Sequence, residues 1–208
     1  MNRKKKTMRL ALMAMFISIE LLLTFTPLGY IPLGFMNMTT LHIPVIIVGI
    51  VMGVKDGAIL GLVFGLTSVF RATMMPIPTS FIFSPFITIG GVSGNFSSLL
   101  IAIVPRILIG VVAALIYQLL IKKHVKDVVA IILAAVAGTL TNTILVMSGI
   151  YFFFGEAYAA VTNIAYDLLI KSLMVVVTTN GIVEAFLGAF IVLGVVKAIT
   201  PFIKTNMR

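Results

Sequence analysis

The chain has 208 residues, of which 61% are hydrophobic and only 10% are charged, and its formal net charge is +9. Because a soluble domain carries about 25% charged residues, this composition indicates an integral membrane protein, and the length suits about six spans of roughly 20 residues. The absence of cysteine and the wide separation of His42 and His124 disfavour disulfides and a metal site, so we expect neither a metal nor a cofactor.

The first predicted span covers residues 8–26 and follows the basic segment 3–6. This arrangement is similar to the start of a signal peptide, but no small-x-small cleavage site follows it. We therefore expect an uncleaved first helix, with an outer loop at 27–40.

The next two predicted spans, 41–54 and 57–73, are short and are separated by Lys55-Asp56. A re-entrant hairpin is the alternative, but a charged pair at mid-membrane is costly and favours full crossing. Glycines recur here at every fourth position, which places them on one side of a helix and indicates close packing against neighbours. They are Gly49, Gly53, Gly57, Gly61 and Gly65.

The remaining spans are predicted at 97–121, 128–154 and 170–198, with outer loops at 74–96 and 155–169. Proline and glycine interrupt the first of these loops, so we expect an irregular segment there. The whole chain, 1–208, is then one transmembrane domain.

The basic residues indicate the orientation of the spans. With six spans and a cytoplasmic amino terminus, all but three of the 15 basic residues fall on the inner side. Only Arg71, Arg106 and Lys171 remain near the outer side, in agreement with the positive-inside rule. We therefore predict an all-α protein with six transmembrane helices and both termini cytoplasmic. The net charge reflects membrane orientation and does not indicate nucleic-acid binding.

Ionisable groups within a membrane are candidates for function. Arg106 follows Pro105, and proline is favoured in the first turn of a helix. If the fourth membrane helix proper begins at Pro105, Arg106 stands at its outer end. There it could bind a carboxylate through two hydrogen bonds. Alternatively, it pairs with Glu20 or Glu184, or reaches the lipid headgroups. Arg71 is a second candidate of the same kind.

Polar residues inside the last two spans are further candidates for ligand contact. Thr141 and Asn142 belong to a run of three hydroxyls and one amide, and Asn180 lies at a comparable depth. Two amides in one pocket would suit a small ligand with amide or hydroxyl groups. The alternative is hydrogen bonding between helices, and we expect Glu184 to have such a structural role.

The first outer loop contains Tyr30, Phe35 and Asn37 among prolines and glycines. It could cover a pocket as a lid, or it is an ordinary loop at the membrane interface. The sequence contains no phosphate-binding GxxxxGK[ST] motif and no catalytic motif. A binding pocket in a chain without an ATP-binding motif implies either a passive function or a partner protein that supplies energy.

Several segments together resemble the substrate-binding S components of energy-coupling-factor (ECF) vitamin transporters. They are residues 40–47 (TLHIPVII), 57–68 (GAILGLVFGLTS), 105–110 (PRILIG) and 180–185 (NGIVEA). The resemblance implies capture of one vitamin at the bacterial plasma membrane. It also implies a partner module of one transmembrane coupling protein and two ATPases, so that the chain itself is no enzyme.

Family members dock on the coupling protein through small residues of the first helix. The nearest match here is Ala11, Ala14 and Ser18, without the AxxxA pattern that is frequent in the family. Residues 138–143 (GTLTNT) and 149–153 (GIYFF) most resemble the pantothenate-type members. S components for folate, riboflavin or thiamine are the alternative. A passive channel or scaffold and a lipid-modifying enzyme are rival functions, but neither a continuous polar stripe nor a catalytic cluster is visible.

Overall fold

The computed structural model describes residues 3–33 and 36–207, with the backbone alone described for 30–33, 36–38 and 204–207. Its elements in chain order are α1 (Arg3–Phe25), a 3₁₀ turn (Pro27–Gly29), β1 (Tyr30–Leu33), β2 (Met36–Thr39), α2 (His42–Met52), α3 (Val54–Met74), a 3₁₀ turn (Ser80–Ile82), β3 (Thr88–Ile89), β4 (Val92–Ser93), α4 (Phe96–Lys122), α5 (Asp127–Thr162), α6 (Tyr166–Val176), a π-helix (Val177–Gly181) and α7 (Ile182–Met207).

Within these described ranges, five helices are long and apolar enough to cross a membrane. They are α1, α3, α4, α5 and the continuous run Tyr166–Ile203 formed by α6, the π-helix and α7. The sixth apolar helix, α2, has only 11 residues and is therefore about 16 Å long. The mainly helical architecture is confirmed.

Helix α2 lies at the centre of the bundle. Every residue from His42 to Ile50 is buried, which explains why the helix is apolar all round. Its side chains join those of α1, α3, α4, α5 and α7 in one hydrophobic core. A second core lies between the Ser80–Ile82 turn, α4, α5 and α6, where the rings of Phe81 and Phe154 meet edge to face.

Glycines bring the backbones of α2, α3 and α4 into direct contact. A Cβ atom built at Gly57 would lie 2.8 Å from the Cα of Gly49 and 3.0 Å from the carbonyl oxygen of Gly110. Farther along α3, a Cβ at Gly65 would lie 2.9 Å from the Cα of Ile103. Gly53, with a φ of 100°, makes the turn between α2 and α3. The predicted close packing is therefore present, and Gly110 is the partner that the spacing alone did not identify.

One end of the bundle, here called the basic end, comprises the start of α1, the Gly53 turn and the α4–α5 connection. Arg9 of α1 forms two hydrogen bonds of 2.7 Å with the carboxylate of Asp56 in α3. Lys197 of α7 pairs with Asp127 of α5, which also accepts a hydrogen bond of 2.8 Å from the Tyr117 hydroxyl of α4. These contacts join neighbouring helices at the basic end.

The opposite end, here called the hairpin end, differs from the sequence prediction. The predicted loop 27–40 contains the antiparallel hairpin β1–β2, and the irregular segment 74–96 contains the short hairpin β3–β4. The predicted loop 155–169 is wrong, because α5 continues to Thr162 and α6 begins at Tyr166. A bend at Phe154, with φ −135° and ψ 17°, lies where the span was expected to end.

Replacement of Gly57 by alanine is expected to lower the stability of the bundle. The new methyl group meets backbone atoms of both Gly49 and Gly110, so α3 has to move, at a cost of about 1–3 kcal/mol. Thermal unfolding of the purified protein in detergent measures the change. Gly194→Ala is the matched control, because a Cβ there meets nothing within 4 Å. Equal midpoints for the two variants would contradict the glycine contact.

Candidate functional site

A cavity of about 370 Å³ opens between α3, α4, α5 and the π-helix at the hairpin end. Its lining includes four of the residues predicted from the sequence: Arg71, Arg106, Asn142 and Asn180. These residues come from four different elements. A volume above 300 Å³ is sufficient for a small ligand.

Arg106 lies in the interior of α4 and not at a helix end. The helix begins at Phe96 and continues through Pro105, so Arg106 is about 15 Å along it. Its Nη1 donates a hydrogen bond of 2.8 Å to the carbonyl oxygen of Ile101. The predicted position at an outer helix end is wrong, because the segment before Pro105 is helical as well.

Two aromatic rings flank the Arg106 guanidinium. Its Cζ lies 5.4 Å from the ring centroid of Phe64 and 5.1 Å from that of Phe83. Both rings line the cavity. Such contacts stabilise a cation in a site of low polarity and restrict the orientation of its planar group. The sequence analysis missed both phenylalanines, since nothing in their spacing distinguishes them from the other 13 phenylalanines of the 15 in the chain.

Arg71 reaches the same cavity from the last turn of α3. Its Nη1 donates a hydrogen bond of 2.6 Å to the carbonyl oxygen of Thr24 in α1. A cation is favourable near the carboxyl end of a helix. The cavity therefore has positive side chains from both α3 and α4.

Asn142 contributes an acceptor to the cavity. Its Oδ1 is buried and has no hydrogen-bond partner among the described residues. A buried acceptor without a partner lowers the stability of the folded protein by about 1–3 kcal/mol. A ligand that donates a hydrogen bond to this atom removes that penalty. Its neighbour Thr141 does not line the cavity, and its hydroxyl donates to the carbonyl oxygen of Ala137 at 2.7 Å.

The π-helix Val177–Gly181 carries Asn180. Its extra residue per turn changes which side chains face the cavity, and single-turn π segments are frequent at functional sites. Asn180 Oδ1 accepts a hydrogen bond of 3.3 Å from Thr179. A Cβ at Gly181 would lie 3.1 Å from the methyl carbon of Thr143, so glycine permits the close approach of this segment to α5.

Glu184 lines the cavity as well. Its Oε1 accepts a hydrogen bond of 2.8 Å from the backbone N–H of Thr39 and one of 3.4 Å from the Thr39 hydroxyl. Glu184 therefore has a structural partner, but this partner is the end of β2 and not a second helix. The position in the cavity wall was missed, although the four-residue spacing from Asn180 indicates the same side of the helix.

The remaining predicted residues lie elsewhere. Phe35 and the side chains of Tyr30 and Asn37 lie outside the described part of the structure. Ala11, Ala14 and Ser18 are exposed on the side of α1 opposite to its buried residues. Among the described residues, no three His, Cys, Asp or Glu side chains form a group that could hold a metal ion.

The cavity thus combines two guanidinium groups with two amides and one carboxylate. Guanidinium groups bind carboxylates through charge-assisted hydrogen bonds, and amides both donate and accept. This inventory suits a small ligand with one carboxylate at one end and hydroxyl or amide groups in the rest of the molecule.

Comparisons with known proteins agree with the resemblance noted in the sequence. A family model described as "ECF transporter, substrate-specific component" matches residues 8–196. The pantothenic acid transporter PanT of Lactococcus lactis subsp. cremoris (strain MG1363) is 37% identical over 202 residues, which cover 95% of this chain and 96% of that protein. The predicted family is confirmed.

Replacement of Asn142 by leucine is expected to raise the stability of the ligand-free protein, by about 1 kcal/mol, because it removes a buried acceptor that has no partner. Thermal unfolding in detergent without ligand measures the effect. Thr141→Val is the control in the same helix turn and is expected to change the midpoint less. A lower midpoint for Asn142→Leu would show that this amide stabilises the fold and is not held available for a ligand.

Proposed function

The chain belongs to the family of ECF transporter substrate-specific components, and we propose on this premise that it captures pantothenate at the bacterial plasma membrane. It is a multi-pass membrane protein without a nucleotide-binding motif in its sequence. The observation that carries the proposal is the convergence of Arg71, Arg106, Asn142 and Asn180 on one cavity.

The chemistry of pantothenate matches this cavity group by group. The molecule has one carboxylate, one amide and two hydroxyls. Arg106 and Arg71 bind the carboxylate, with Arg106 held between Phe64 and Phe83. Asn142 Oδ1 accepts from the ligand amide or a hydroxyl, and Asn180 faces the rest of the molecule. We propose Tyr30, Phe35 and Asn37 as further ligand contacts, in keeping with the expectation from the sequence that their segment acts as a lid.

We further propose six spans with both termini cytoplasmic. Helix α2 pairs with α3 through the Gly53 turn, so the short α2 and the longer α3 cross in opposite directions. The basic end then faces the cytoplasm, with Arg3–Lys6, Lys122 and Lys123 exposed or half-buried there. The cavity opens to the outside.

Transport requires a partner that hydrolyses ATP. We propose that a transmembrane coupling protein and two ATPases supply this activity and that α1 is the docking helix. Support comes from its exposed side, where Ala11, Ala14 and Ser18 leave space for a second helix. Membrane lipid covers this side when the partner is absent.

Other vitamins remain the alternative substrates. Folate, riboflavin and thiamine each present a flat ring, which requires a stacking surface, and the rings of Phe64 and Phe83 are already in contact with Arg106. A passive channel would need a polar path through the bundle. The residues buried around α2 instead form an apolar core.

Removal of the Arg106 charge is expected to weaken pantothenate binding strongly. Loss of one partner of a buried charge pair costs about 2–5 kcal/mol, which corresponds to at least about 30-fold in affinity. Calorimetric titration of the purified wild-type protein and Arg106→Gln measures this. Pantothenol, in which an alcohol replaces the carboxylate, is the control ligand. Arg106→Gln is expected to reduce the ratio of the affinity for pantothenate to the affinity for pantothenol. An unchanged preference would remove Arg106 as the carboxylate ligand.

A large side chain at Ala14 is expected to block assembly without blocking capture. Ala14→Trp fills the exposed side of α1, while the cavity is lined by other elements. Co-purification of ATPase subunits from the native membrane should be lost, and pantothenate binding should persist. Leu115→Trp, at a position of α4 that is 50% exposed, is the control. Normal assembly of Ala14→Trp would exclude this side of α1 as the docking site.

A further inference from the structure

We propose that Glu184 makes the cavity select the unphosphorylated vitamin and reject its phosphate monoester. The inference rests on the proposed function, since it assigns the end of the cavity that receives the hydroxyl groups of pantothenate. Glu184 acts here as a specificity residue, through its negative charge.

Among the residues that the structure describes, the charged side chains in the cavity lining are Arg71, Arg106 and Glu184. The two cations belong to α3 and α4, whereas Glu184 belongs to α7 and lies one helical turn after Asn180. A ligand with a carboxylate at one end therefore binds with that end at the arginines. Its uncharged end then meets the surface formed by Asn180 and Glu184.

The position of the Glu184 carboxylate is fixed. Both hydrogen bonds from Thr39 reach the same oxygen, Oε1. The next residue, Thr40, is held in place as well, because its hydroxyl donates a hydrogen bond of 2.9 Å to the carbonyl oxygen of Leu28. Glu184 is thus tied to the hairpin base and does not turn away freely when a ligand enters.

A fixed carboxylate distinguishes a hydroxyl from a phosphate. An ionised carboxylate only accepts hydrogen bonds, so it binds a ligand O–H. A phosphate monoester carries a charge of about −1.5 to −2 at pH 7 and mainly acceptor oxygens. Placing it beside Glu184 brings like charges together in a partly buried site, which disfavours the wrong ligand.

Reversal of the ligand does not avoid this repulsion. If the phosphate binds at Arg71 and Arg106, the carboxylate of the same molecule comes to lie at Glu184. A ligand with an anionic group at each end therefore places one of them beside Glu184 in either orientation. A ligand with a single anionic end avoids the contact in one orientation, and that orientation is the one proposed for pantothenate.

The test compares wild-type protein with Glu184→Gln in competition against radiolabelled pantothenate, in detergent. The competitors are pantothenate and its phosphate monoester at the primary hydroxyl. Glutamine keeps the carbonyl acceptor for Thr39 and removes the charge. We expect the wild-type protein to bind the monoester at least about 100-fold more weakly than pantothenate, and Glu184→Gln to reduce this ratio at least about tenfold. Glu156→Gln, an exposed position of α5 outside the cavity lining, is the control.

The outcomes separate the two proposals. Absence of pantothenate binding to the wild-type protein overturns the proposed function. Binding of pantothenate with equal binding of the monoester leaves the function intact and overturns the selectivity, and an unchanged ratio in Glu184→Gln overturns the role of Glu184. A second measurement needs only the wild-type protein and therefore remains possible if Glu184→Gln does not fold. A neutral phosphate triester of the same vitamin should compete better than the smaller, charged monoester. The reverse order would show that size and not charge decides.

Discussion

The close contact of the α2, α3 and α4 backbones at Gly49, Gly57 and Gly110 is the constraint on which the site depends. In lipid, burial of apolar side chains does not drive helices together, so backbone proximity at small residues supplies much of their association. This contact sets the spacing between α3 and α4, and with it the distance between the helices that carry Arg71 and Arg106. The glycines therefore determine how closely the helices that carry the two guanidinium groups approach each other.

The sequence was sufficient to identify the cavity residues with the strongest physical signal. Arg71, Arg106, Asn142 and Asn180 are polar groups in apolar helices, and such groups face protein or a ligand and not lipid. The same rule does not rank neighbouring polar residues. Thr141 satisfies its hydroxyl within its own helix, as threonine in a helix often does, and this option is invisible in a one-dimensional pattern.

Local geometry was the part that the sequence did not determine. Hydropathy does not distinguish an α-helix from a π-helix at Val177–Gly181, because the difference lies in one hydrogen-bond register. The continuation of α5 past Phe154 was missed for a related reason. Residues 155–162 are compatible with a loop or a helix, and packing of Ala159 and Phe154 in the second core decides for the helix. Helix limits are therefore tertiary properties at this end of the bundle.

The cavity lies at the boundary between two kinds of structure. On one side, α2, α3 and α4 are in backbone contact and leave little space for rearrangement. On the other side, the bend at Phe154, the π-helix and the Thr39–Glu184 hydrogen bond interrupt regular helix packing. A ligand bound by Arg106 and Asn180 together contacts both sides at once. The binding of such a ligand would stabilise one arrangement of the π-helix relative to α4. The irregular side of the bundle is therefore the side whose structure a ligand can influence.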